Sequence, residues 1–167
     1  FIAIVVWLIL HWSDRADEPG SERYILIIAY MFGLAIGVHI LNLLTLPFIA
    51  LIIYFRKMEF AWKTFIITTA ITFVTFLVIH NGIIKGLVAL AGSALGVQSV
   101  IVLILLVVGL SIWSILNKHQ LLSLTLSSTV LILVGYSSYA LIFIRSGQDP
   151  AIDENNPENI SAAIKYI

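Results

Sequence analysis

The stretch GLAIGVHILNLLTLP, residues 33–47, sits inside an apolar run that extends from Tyr24 to Phe55. Read as one α-helix, that run would be about 48 Å long. It is too long for one upright crossing of a hydrocarbon core of ~30 Å and too short for two full ones. Gly33, Gly37, His39, Asn42 and Pro47 supply the break. Pro47 fits the first turn of a new helix, where its missing N–H costs nothing. The reading is therefore two short helices joined near His39–Thr45. Polar backbone at that depth is tolerated only where protein or a water-filled cavity surrounds it.

Basic residues arbitrate between the two topologies. With a broken hairpin, one side carries Arg15, Arg23, Arg56, Lys57, Lys63 and Lys118, and the other only Lys85, Arg145 and Lys165. A single crossing splits them four against five and orients nothing. The positive-inside rule favours the hairpin, with the 12–23, 56–61 and 117–120 loops cytoplasmic. Trp12, Trp62 and Trp113 then form an aromatic belt on that side.

The rest of the chain is similarly apolar. Trp62–Ile79, Val97–Leu116 and Leu121–Ile144 each have the length and character of a membrane span. Phe1–His11 reads as the tail of another. His80 and Lys85 mark a membrane exit, and the Gly- and Ala-rich stretch up to Val97 reads as a short helix lying in the interface. A hydrophobic share of 60 %, 11 % charged residues and a mean hydropathy of +1.07 lie outside the range of soluble domains. The expected fold is an all-α polytopic transmembrane bundle. It comprises a helical region over residues 1–144 and a polar loop with the start of a further helix over 145–167.

Zero net charge and the lack of a basic cluster exclude nucleic acid as a partner. The absence of cysteine excludes disulfides and thiolate metal sites. No metal-ligand spacing, P-loop, dinucleotide fingerprint or nucleophile elbow is present. The chain opens inside an apolar run without an initiator methionine, as an internal piece of a longer protein would.

Candidate chemistry collects after the last span. IRSGQDPAIDENNPEN, residues 144–159, holds Asp149, Asp153, Glu154, Asn155, Asn156 and Glu158. Such residues are ordinary in a solvated turn. They also supply the paired donors and acceptors that sugar hydroxyls require. Arg145 ends a span: it either snorkels to the interface or forks onto phosphate oxygens. His39 and Asn42, three apart within apolar sequence, either bond between helices or line a functional cavity.

GLAIGVHILNLLTLP (33–47) and GYSSYALIFIRSGQDPAIDENNPEN (135–159), with ADEP (16–19) and the closing ENISAAIKYI, resemble a family of large bacterial multi-spanning proteins. That family is grouped with the protein O-mannosyltransferases and often labelled only a domain of unknown function. Arg145, Glu154, Asn155 and Pro157 match its pattern. Ala151 stands where a proline is usual, and Asp153 and Asn156 look interchanged.

The resemblance implies a GT-C type membrane glycosyltransferase in a bacterial inner membrane. Its site would face the periplasm, and it would move a mannose-like sugar from a polyprenyl-phosphate donor to a hydroxyl of an acceptor protein. Arg145 would bind the donor phosphate, Asp153, Glu154, Asn155 and Asn156 the sugar, while His39 and Asn42 line the cavity. The catalytic carboxylates would lie upstream of Phe1. No cofactor or metal is expected, the lipid-linked sugar being a substrate. The alternatives are a transporter or flippase for a polar or lipid-linked solute, whose broken helices would lie near the midplane, and a structural membrane subunit.

Overall fold

The computed structural model describes residues 1–153, Pro157 and Ala162. They form an all-α bundle whose elements follow the apolar runs. Helix α1 covers Ile2–Asp14, α2 covers Glu22–Val38 and α3 covers Thr45–Lys57, with a 3₁₀ turn at Ile40–Leu44 between the last two. Helix α4 (Trp62–Leu77) continues through a π-helical segment, Val78–Gly86, into α5 (Leu87–Ala91). Helix α6 spans Gly96–Leu116 and α7 spans Gln120–Tyr136. A 3₁₀ turn at Ser137–Tyr139 carries α7 into α8, Ala140–Ser146.

Trp62–Ala91, Gly96–Leu116 and Gln120–Ser146 are each long and apolar enough to cross a membrane. Their side chains are largely exposed, as lipid-facing surfaces are. The buried core lies elsewhere. Val5, Leu8, Ile9 and Trp12 of α1 pack with Ile28, Phe32 and Ile36 of α2, Leu43, Ile49 of α3, and Tyr136.

The 24–55 run is a broken hairpin. Helix α2 ends where His39 turns extended, at φ −158° and ψ 115°. With 17 and 13 residues, α2 and α3 are about 26 and 20 Å long, both short of a full crossing. Arg56 and Lys57 at the end of α3 return to the α1–α2 loop: Arg56 Nε donates to the Ser13 carbonyl oxygen at 2.8 Å and Lys57 Nζ to that of Ala16 at 3.0 Å. Both hairpin feet thus stand at one end of the bundle.

Helix α7 runs parallel to α2. Gly33 faces Ile132 and Gly135, while Gly37 faces Ser138 and Tyr139. A Cβ on Gly33 would overlap the Ile132 carbonyl oxygen, and one on Gly135 would come within 2.5 Å of the Tyr30 carbonyl oxygen. Glycine at both positions lets the two backbones touch, the usual device where helices associate without a hydrophobic drive. Because α2 and α7 are parallel, the Lys118 turn shares an end with the hairpin feet. The hairpin apex and α8 share the other.

The stretch after Ile79 differs from the expected separate short helix. The helix continues to Ala91. Its i→i+5 pattern stacks residues five apart, and Ile79 and Ile84 are consequently both buried in the core. In an α-helix one of that pair would turn away. Gly86 accommodates the wider coil, since a Cβ there would lie 2.8 Å from the Asn81 carbonyl oxygen. The glycines of this stretch permit a π-helix in place of a separate short helix.

Candidate functional site

The apex of the hairpin is built by Asn42. Ending α2 at Val38 deprives its last carbonyl groups of the N–H donors that a further turn would supply. Asn42 Nδ2 donates to the carbonyl oxygens of Ala35 and His39, both at 2.9 Å, beside the His39 and Asn42 backbone amides that bond the same two oxygens. Thr45 Oγ1 donates to the Asn42 carbonyl oxygen at 2.7 Å. Asn42 is buried, whereas His39 is exposed. The two expected cavity residues therefore point to different surroundings: Asn42 closes the broken helix, and His39 is presented outward at the apex.

Beside the apex, Gly37 packs against the Tyr139 ring side chain. Tyr139 stacks on Tyr136 at 5.5 Å between centroids and meets the edge of Phe143 at 5.4 Å. This aromatic column ties the hairpin to α8, and α8 presents Arg145 in its last turn.

Arg145 is exposed and has no carboxylate partner among the described residues. It lines a cavity of about 470 Å³ with Leu141, Ile144, Gln148 and Pro150. After Ser146 the chain folds back: the Gln148 and Asp149 amides donate to the Arg145 and Ser146 carbonyl oxygens, and Asp149 takes φ 49°. Ser146, 2 % exposed, donates its hydroxyl to Asp153 Oδ2 at 2.7 Å. That bond holds the Asp153 carboxylate against the turn bearing Arg145. Pro157 is fully buried. Glu154, Asn155 and Asn156 lie outside the described residues.

The structure thus brings Arg145 and Asp153 to one turn, and places His39 and Asn42 at the same end of the bundle. Neither His39 nor Asn42 lines the Arg145 cavity. Ser146, Gln148 and Pro150 were not among the expected site residues. The only sequence signal for Ser146 is its place between the arginine and the acidic loop. Among the described residues, no three His, Asp or Glu side chains gather as a metal site would require. The arrangement offers, among the described residues, one guanidinium without a carboxylate partner for an anion, with a carboxylate nearby to accept hydroxyl hydrogen bonds.

Residues 1–63 match a family described as the protein O-mannosyl-transferase TMEM260 N-terminal domain. The match covers α1, the broken hairpin and the first two residues of α4, and supports a relation to the O-mannosyltransferases. No curated protein and no solved structure matches the chain.

Proposed function

We propose that the chain is part of a membrane glycosyltransferase of the protein O-mannosyltransferase kind, GT-C in type. It would transfer a mannose-like sugar from a polyprenyl phosphate to a Ser or Thr hydroxyl of an acceptor protein. The observation that carries this reading is the likeness of residues 1–63 to the N-terminal domain of such a transferase. Two features support it. Positive charge gathers at the Lys118 end and is sparse at the Arg145 end, so the positive-inside rule makes the Arg145 end the outer, periplasmic one in a bacterial inner membrane. Soluble nucleotide sugars are absent there, which makes a lipid phosphate the reasonable carrier.

In the reaction, the acceptor oxygen bonds to the anomeric carbon as the bond from that carbon to phosphate oxygen breaks. A carboxylate takes the hydroxyl proton, and the phosphate leaves with the bonding pair. That carboxylate is assigned to no residue of this chain. Arg145 offsets the charge that develops on the departing phosphate. Asp153, held by Ser146, accepts hydrogen bonds from sugar hydroxyls, with Glu154, Asn155 and Asn156 following it in the loop.

The test is reconstitution of the full-length protein in liposomes with polyprenyl-phosphate mannose and a Ser/Thr acceptor peptide. Mannosyl peptide is the expected product. Movement of the lipid-linked sugar between leaflets without any transfer would replace this reading by a flippase.

A further inference from the structure

Helices α6 and α7 are joined by only Asn117, Lys118 and His119. The link is tightly bonded: the Asn117 amide donates to the Trp113 carbonyl oxygen, that of Lys118 to Ile115 and that of His119 to Ser114, each at 3.0 Å. Asn117 Nδ2 adds a bond of 2.8 Å to the same Trp113 oxygen. The turn forces Lys118 to φ 57°, a conformation rare for lysine.

Two spans end here, so the turn lies at headgroup depth, and its flanks are apolar and open. Leu116 is 75 % exposed and Leu121 80 %. At the turn lies a notch of about 680 Å³, lined by Trp113, Lys118, His119, Gln120, Leu121, Leu122 and Thr125. The Trp113 and His119 rings sit 5.4 Å apart and form one wall. At this end of the bundle Arg56 and Lys57 share Asp17, but Lys118 has no carboxylate partner among the described residues. The notch therefore combines an uncompensated cation, hydrogen-bonding groups and an apolar lip.

We infer that this notch is a binding site for an anionic phospholipid of the leaflet at the Lys118 end. The headgroup phosphate lies on Lys118 and the ring N–H of His119, and an acyl chain lies along Leu116 and Leu121. Charge complementarity selects this occupant. A zwitterionic lipid gains less from Lys118, because its own ammonium offsets the phosphate charge, and a water-soluble anion gains nothing from the leucines. The site stands at the opposite end of the bundle from Arg145 and is independent of the transferase reading.

The experiment is native mass spectrometry of the full-length protein, released from micelles holding equal phosphatidylglycerol and phosphatidylcholine. The wild type is expected to retain phosphatidylglycerol preferentially. Lys118→Asn removes the charge while asparagine tolerates the left-handed turn, and it should cut the preference about fivefold. Adding His119→Gln should reduce it further. Lys85→Asn, at the other end, should leave it unchanged, and matched melting curves would confirm intact folding. Equal retention of the two lipids, or an unchanged preference in Lys118→Asn, would overturn the inference. So would displacement of the lipid by millimolar inorganic phosphate alone.

Discussion

The Lys57 ammonium lies 3.0 Å from the Asp17 carboxylate, forty positions earlier in the chain. The Arg56 guanidinium takes the other oxygen of the same group. One aspartate in the α1–α2 loop thus meets both cations at the end of α3. That meeting is possible only if the chain turns back after α2. In membranes, Ser13→Cys and Met58→Cys in the full-length protein should label from the same side with an impermeant thiol reagent. Labelling from opposite sides would mean that 24–55 crosses once.

The same cluster has a pH signature. Hydrogen bonds from Lys57 and then Arg56 hold the Asp17 carboxyl below its ordinary range. A depressed value in the folded state stabilises the fold above the unfolded-state pKa, and that contribution is lost as pH falls through the folded value. The group is exposed, so the effect is small. Asp17→Asn should melt slightly below wild type at neutral pH in detergent. The two curves should converge in acid, once Asp17 is protonated in both states. A difference that persists in acid would assign the effect to packing.

Close approach of α2 and α7 makes glycine substitutions unequal. Gly33→Ala and Gly135→Ala drive a methyl into opposing backbone and should each cost about 1–3 kcal/mol, or more if the helices separate. Gly109 in α6 has nothing within 4 Å of a built Cβ, so Gly109→Ala should be neutral or stabilising by up to about 1 kcal/mol. Denaturant unfolding in micelles compares them. Equal tolerance at all three positions would exclude the glycine crossing.

At the apex, Asn42→Ala removes the two side-chain bonds to the Ala35 and His39 carbonyl oxygens, each of which keeps a backbone amide donor. It should destabilise by about 1–3 kcal/mol. His39→Ala, at an exposed position, should leave stability near wild type while lowering turnover in the full-length protein. Equal loss of folded protein and of activity on His39→Ala would reduce it to a packing residue.

Sequence made the hairpin legible because two independent signals agreed. The glycine, histidine, asparagine and proline pattern of 33–47 marked a break, and the basic residues required both feet on one side. The π-helix was not legible. Gly82 and Gly86 punctuate a loop as readily as they permit a wide coil, and only packing of Ile79 with Ile84 decides between them. At the site, Arg145 and Asp153 stand out as charges beside apolar sequence. Ser146 does not, because its role depends on a loop that folds back through the left-handed Asp149. Asn42 was recognisable as a polar residue within apolar sequence, but its side chain reaches the Ala35 and His39 carbonyl groups only once the helix has broken.

Arg145 and Ser146 divide the work of the outer turn. Arg145 presents its guanidinium to the 470 Å³ cavity, and its fork suits two phosphate oxygens at once. Arg145→Lys keeps the charge and loses the fork, so donor binding should weaken while the fold stays intact. Arg145→Ala should weaken it further, a charge-assisted bond being about twice as strong as a neutral one. Ser146→Ala leaves the guanidinium in place and releases the Asp153 carboxylate from its 2.7 Å bond. It should spare attachment of a polyprenyl-phosphate analogue that lacks the sugar, and impair use of the complete donor. Measuring analogue binding and sugar transfer separately in the full-length protein distinguishes the two roles. Wild-type values in both assays for Arg145→Ala would leave the arginine as a side chain that merely reaches for the interface.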